Sequence, residues 1–206
     1  SGQRVLLLID CATSLEPSGE CVITDRREHV ERVISALTSP AAAARSRLAA
    51  SWLRSFSKHG LDPTRPHDAG TPDAERLRRR KEEFGSMLAV ASPKLDELFA
   101  AIGTCGCGVL LTDPDGVVLD SRCRAGDAEV FRAWGLIPGV DWSEAAQGTN
   151  GIGTCLVERR ALIIHRDQHF FPHNIGMSCI DAPVYGADAT LVAALDVSSA
   201  RADQTE

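Results

Sequence analysis

The sequence predicts an α+β fold, with helices first and then an antiparallel sheet that has short helices between its strands. Three observations predict it. Apolar residues recur at helical spacing through residues 26–103, as in the i, i+3, i+4, i+7 set Val30, Val33, Ile34 and Leu37. From Gly106 onward the apolar runs shorten to strand length, and turn signals such as Asp113-Pro114-Asp115-Gly116 separate them. Between the strand runs lies a polar, glycine-bearing stretch, Asp141 to Thr154, that suits neither a core helix nor a strand.

The elements follow in order. Residues 1–25 form a leader that reads two ways. Val5 to Ile9 and Cys21 to Thr24 are two strands around Pro17-Ser18-Gly19, or the segment is ill-ordered. A helix is expected over 26–38, ended by Pro40. Ala41 to Ser57, rich in Ala, Leu and Arg, reads as a second helix, stopped by Gly60 and Pro63. After a loop through Pro66 and Pro72, Thr71 or Asp73 caps a third helix in which Leu77, Phe84 and Leu88 share a face. Pro93 suits the first turn of a fourth, with Leu95, Leu98, Phe99 and Ile102 as its stripe.

A sensor-sized core is expected over 104–199, with a tail at 200–206. Val109–Thr112 and Val117–Asp120 make a hairpin, and Asp127–Trp134 a short helix. Ala161–His165, Ser178–Tyr185 and Leu191–Ser198 are three more strands, the last two joined at Gly186-Ala187-Asp188.

The stretch Trp142-Ser-Glu-Ala-Ala-Gln-Gly-Thr-Asn-Gly-Ile-Gly-Thr154 is the most informative part of the chain. Ser143 and Asn150 are N-cap residues for two short helical turns. Gly148, Gly151 and Gly153 permit positive φ or close backbone approach. Such a run leaves backbone N–H groups and small side chains to face a cavity.

Read with its neighbours, the run resembles the GAF sensor region of bacterial transcriptional activators of acetoin and glycerol metabolism, many of them sigma-54-dependent Fis-family proteins. The segments that carry the resemblance are GCGVLLTDPDGVVLD from Gly106, AWGLIPGVD from Ala133, the run above, IIHRDQHFF from Ile163, SCIDAPVYG from Ser178, and LVAALDVS. Upstream, SWLRSFSKHGLDP matches the family's lead-in helix and its stop. The resemblance spans Arg47 to Ser199. It implies a GAF domain: a central antiparallel sheet flanked by helices, with a ligand cavity on one side. It does not specify the ligand.

Composition narrows the class. With 44% hydrophobic and 24% charged residues the chain reads as soluble and globular, and a net charge of −6 argues against nucleic-acid binding by the whole chain. Its longest apolar run, Val5 to Ile9, is far too short to span a bilayer. Seven scattered cysteines without an export signal point to reduced thiols in the cytoplasm. Neither a phosphate-binding G-x-x-x-x-G-K-[ST] loop nor a helix-turn-helix is expected, so the chain reads as an excised or stand-alone sensor region.

Several residues could carry chemistry. His165, His169 and His173 are spaced i, i+4, i+8, a metal-binding face if they lay on one helix, but Pro172 interrupts them. Of the three, His165 and His169 match the family motif. Cys105 and Cys107 open the first strand on a shared face, and Cys155 and Cys179 border the expected cavity. Arg76 to Lys81 is the only basic run, and Glu82 and Glu83 mark it as a solvated helix face.

The expectation is a module that binds rather than reacts, with no catalytic residue, metal or cofactor. The ligand-binding residues are expected to be Trp142, Ser143, Thr149, Asn150, Thr154, Cys155, His169, Phe170 and Cys179, around one cavity. Trp142 and Phe170 supply apolar walls; Ser143, Asn150 and His169 bond a hydroxyl or carbonyl. Asp181 points inward and needs a partner the sequence does not name. Few aromatics favour a short diol, hydroxyketone, ketone or alcohol over a broad chromophore. At about 1.5 kcal/mol per atom, such a ligand binds at best at roughly micromolar strength. A homodimer through the helices of 26–103 is expected, with no nucleic-acid or membrane partner. The alternatives are a cysteine- or metal-based redox sensor and a small thiol enzyme, such as a free methionine sulfoxide reductase.

Overall fold

The computed structural model describes residues 20–199, apart from Ala69; the side chains of 20–24 and of Pro40 are outside the description. The expected strand at Val5 to Ile9 and the tail 200–206 lie outside the described residues. Five strands form one sheet: β1 Cys107–Thr112, β2 Val118–Arg122, β3 Leu162–His165, β4 Ser178–Tyr185 and β5 Leu191–Ser199. Their order is β2-β1-β5-β4-β3. Every pair is antiparallel, and that part of the arrangement is what the sequence predicts.

Strand alternation sorts the side chains to two faces. Val109 pairs with Val197 and Ile180 with Val197, so these three share one face. Helix α5, Gly85–Ile102, covers part of it, packing Leu95 on Val109, Leu111 and Ala193. The opposite face carries Leu110, Cys179, Asp181, Ala194, Asp196 and Ser198. Over it lie α6 (Ala128–Ala133), α7 (Glu144–Gln147) and α8 (Gly151–Glu158), with Phe131, Trp142, Ile152, Cys155 and Met177 in the shared core.

The N-terminal helices form a separate layer docked on the core. They are α1 Glu20–Leu37, α2 Pro40–Arg45 and α3 Arg47–Ser57. Val33 and Trp52 pack against Phe170 and Phe171. The Trp52 indole N–H donates to the Gln168 carbonyl at 2.9 Å, and Arg32 pairs with Asp167. Helix α4, Ala74–Glu83, is capped by Asp73 and fixed by Arg80 to Asp113 and Asp115 and by Arg76 to Asp141. Its remaining basic residues include Arg78 and Arg79, paired to Glu82 and Glu75 along the helix, so the run is a paired surface.

Four local expectations need correction. Cys21–Thr24 lies inside α1, not on a strand, because a short apolar quartet joined to a long helix follows the helix's cooperativity. The expected helix Ala41–Ser57 is broken at Ser46, whose extended backbone (φ −133) and side chain cap α3 by accepting from the Ala49 N–H. Pro93 sits within α5 rather than in a first turn; the helix break falls at Phe84 (φ −96, ψ 16). Pro93 and Ala89, whose carbonyl loses its bond, are both exposed, so water replaces the partner. Cys105 ends a 3-10 turn and Gly106 is left-handed (φ 76), so only Cys107 belongs to β1 and the two thiols share no strand face.

Candidate ligand site beneath helices α7 and α8

Residues 141–154 fold as two capped turns. The Ser143 side chain accepts from the Ala146 N–H at 3.2 Å, and Asn150 accepts from the Gly153 N–H at 2.8 Å. Gly148 turns the chain with φ 64. Gly151 and Gly153 are helical, and their lack of a Cβ serves contact instead: a methyl group at 151 would collide with Asp181, and one at 153 with the Glu144 backbone.

The nine expected residues separate into groups. Trp142 and Cys155 lie in the core between α6–α8 and the sheet, with the Trp142 indole N–H donating to the Gly135 carbonyl at 2.8 Å. Cys179 and His169 meet there, with Nε2 of His169 3.7 Å from Sγ of Cys179. Thr149 and Thr154 face α3 and line a cleft of about 120 Å³ with Arg47, Ser51, Gln168 and Ile164. Phe170 belongs to the helical layer's cluster, so it and Trp142 are not walls of one chamber. Ser143 and Asn150 cap helices.

Two polar devices are absent from the expected set. The first joins α3 to α7 and α8. Glu144, with its side chain 1% exposed, accepts from Arg54 at 2.8 and 2.9 Å, from Thr154 at 3.0 Å, and from Ser51. Ser51 also lies 2.7 Å from the Thr149 hydroxyl. The Glu144 carboxylate raises the Arg54 pKa further, chiefly through this hydrogen bond.

The second device is an acid pair. Asp181 and Asp196 are cross-strand partners, buried on the face that α8 covers. Apart from each other, both oxygens of Asp181 and Oδ2 of Asp196 have no protein hydrogen-bond partner; Oδ1 of Asp196 accepts from Ser198 at 3.0 Å. Burial pushes the Asp181 carboxyl well above the usual range and Asp196 up to about 7. The motif LVAALDVS held a signal for this, since an aspartate inside an apolar strand needs a partner.

His165 ends β3, a 3-10 turn follows, and His169 is extended, so His165, His169 and His173 share no helix face. Among the described residues no group of three or more His, Cys, Asp or Glu is arranged to hold a metal ion. Burial lowers His169 and His173 to about 4. Burial pushes the Cys155 thiol up to about 12 and raises Cys179 well above its ordinary value, so neither is a reactive thiolate. Among the described residues no helix is long and apolar enough to cross a membrane.

Known proteins agree with this architecture. The GAF domain profile matches residues 86–206. The chain is 34% identical over 189 residues to the acetoin catabolism regulatory protein of Cupriavidus necator, covering 88% of this chain and 28% of that protein. It is 30% identical over 156 residues to the acetoin dehydrogenase operon transcriptional activator AcoR of Bacillus subtilis, covering 75% of this chain and 25% of the activator. The chain thus spans little more than a quarter of these relatives. Its fold is that of a chain in the crystal structure of the E. coli DhaR(N)-DhaL complex, with TM-score 0.68 and 17% identity over 77% of this chain and 53% of that one. With the five-stranded antiparallel sheet and its helical covers, the match over 86–206 identifies this chain as a member of the GAF domain family.

Proposed function

We propose that the chain is the ligand-sensing module of a bacterial transcriptional regulator of the sigma-54-dependent type, and that it binds a small oxygenated metabolite of the diol, ketone or alcohol class. One observation carries this reading. The layer under and around α7 and α8 buries Glu144, Thr149, Asn150, Thr154, His169, Asp181, Asp196 and Ser198. Burying so many polar groups costs stability; Glu144, Thr149, Asn150 and Thr154 are paired within the protein, and a ligand that hydrogen-bonds to the open oxygens of Asp181 and Asp196 offsets part of the remainder. Of the nine expected residues, Trp142, Cys155, His169 and Cys179 remain the proposed surroundings of that ligand; Thr149 and Thr154 face α3, Ser143 and Asn150 cap the two turns, and Phe170 packs in the helical layer. The kinship to a regulator of acetoin catabolism and an activator of the acetoin dehydrogenase operon supports the ligand class.

The output is a rearrangement between two copies. The N-terminal layer supports this, since Ile34 on α1 and Leu53 and Phe56 on α3 keep 40%, 37% and 48% of their surface exposed. A ligand that shifts α8 also shifts Thr154 and Glu144, and through them α3. Thermal-shift screening of short diols, hydroxyketones, ketones and alcohols tests the reading. At a hundred times its dissociation constant a true ligand adds about 2.7 kcal/mol of stability. If no compound in these classes shifts the melting temperature, the ligand class is wrong.

A further inference from the structure

The interior beside α8 has too many hydrogen-bond acceptors. Asp181 offers two oxygens and Asp196 a third that have no partner beyond the other carboxyl. His169 is an independent case. It is fully buried, and its Nδ1–H donates to the Arg166 carbonyl at 2.9 Å, which leaves Nε2 as an acceptor. The neighbour of Nε2 is the Cys179 sulfur at 3.7 Å, a weak donor. Ser198 contacts the same sulfur at 3.1 Å and Asp196 at 3.0 Å, tying these groups into one patch. No Lys or Arg ion pair reaches Asp181 or Asp196 among the described residues.

We propose that the Asp181–Asp196 pair, with His169 beside it, is the recognition group of the ligand site, and that it takes a neutral molecule presenting two hydroxyl donors, a short vicinal diol. This rests on the sensor reading above. Beyond a proton shared by the carboxyls, the Ser198 hydroxyl and the Cys179 thiol, the patch has more acceptors than donors, and hydroxyls supply donors while accepting in return. One proton held between the carboxyls leaves the pair a single charge at most, which suits a neutral guest over a cation. Gly151, where a side chain would collide with Asp181, sets the α8 backbone directly against the pair.

The test uses the 206-residue chain and its Asp181→Asn and Asp196→Asn variants, titrated calorimetrically with butane-2,3-diol, propane-1,2-diol and, as a hydroxyl-free control, butan-2-one. The wild type binds both diols at least tenfold more tightly than the ketone, and each variant loses at least tenfold for the diols with its circular dichroism unchanged. Difference infrared spectroscopy gives a readout that needs no variant: the C=O stretch of the buried protonated carboxyl shifts when the diol is added to the wild type. Equal diol binding by wild type and variants, or an unmoved carboxyl band with diol bound, overturns the acid-pair assignment and leaves the sensor reading standing. Tighter binding of the ketone, or stabilisation of the wild type by calcium or an alkylammonium ion and not by diols, also overturns it. If none of the probes binds the wild type and the wider screen is also blank, both readings fall.

Discussion

Replacing Arg54 by methionine isolates the joint between the helical layer and the sensor core. The change keeps much of the side chain's apolar stem and removes the cation that holds Glu144 by two hydrogen bonds of 2.8 and 2.9 Å. Removing one partner of a buried pair typically costs about 3–5 kcal/mol, because the other charge is left uncompensated. Two features reduce that here. Arg54 keeps 28% of its side-chain surface in water, and Glu144 retains the Ser51 and Thr154 hydroxyls. The expected cost is about 2–3 kcal/mol, a fall in melting temperature of about 4–12 °C for a domain of this size. Glu144→Gln in the Arg54→Met background recovers most of it, giving a coupling energy of about 2 kcal/mol in a double-mutant cycle. Urea denaturation measures the cycle, and amide hydrogen exchange shows where it acts: α3 exchanges faster while β1 and β5 do not. A loss below about 0.5 kcal/mol with α3 protection unchanged would refute the claim that this ion pair docks the helical layer.

Further outcomes follow from the same structure. His169 is held neutral at about 4 against 6.5 unfolded, so its stabilisation is present above 6.5 and lost as pH falls toward 4. That loss is about 2 kcal/mol between pH 7 and 5. The acid pair acts oppositely, since carboxyls raised above their unfolded value destabilise at neutral pH and less so as pH falls. Asp181→Asn/Asp196→Asn should therefore lose more stability from pH 7 to 5 than the wild type, and equal slopes in urea titrations would contradict the assignment. Native alkylation with iodoacetamide should modify half-buried Cys105 well before Cys155 or Cys179, as peptide mass spectrometry reads; early labelling of Cys155 would contradict its burial. Trp142→Ala should destabilise by about 3–5 kcal/mol, since it empties a core position 1% exposed. A melting temperature within a few degrees of wild type would show that Trp142 is a pocket wall and not core.

Local signals in the sequence were enough for the strands and the caps. The turn Asp113 to Gly116, the strand Ser178–Tyr185, and the caps Ser143, Asn150 and Asp73 each depend on residues within a few positions, and the structure has them where the sequence puts them. Helix joints were harder. Ser46 and Phe84 break helices because of where the chain must turn to dock, while Pro93 is tolerated because its vacant bond faces water; neither is a property of a window of sequence. The site divides the same way. Asp181 was recognisable as inward-facing, but its partner is fixed by the register of β4 on β5, and Ser51 and Glu144 lie 93 residues apart. Glu144, one residue past an N-cap, reads from sequence as a solvated charge favouring the helix dipole. What buries it is α3 lying over it with Arg54, a contact that no local pattern encodes. The groups most costly to bury, Glu144, Asp181 and Asp196, are thus those whose partners come from elsewhere in the chain. Their placement argues that the α8 layer is built around polar contacts at both its surfaces, one to the helical layer and one to the sheet. A shift of α8 therefore disturbs both at once.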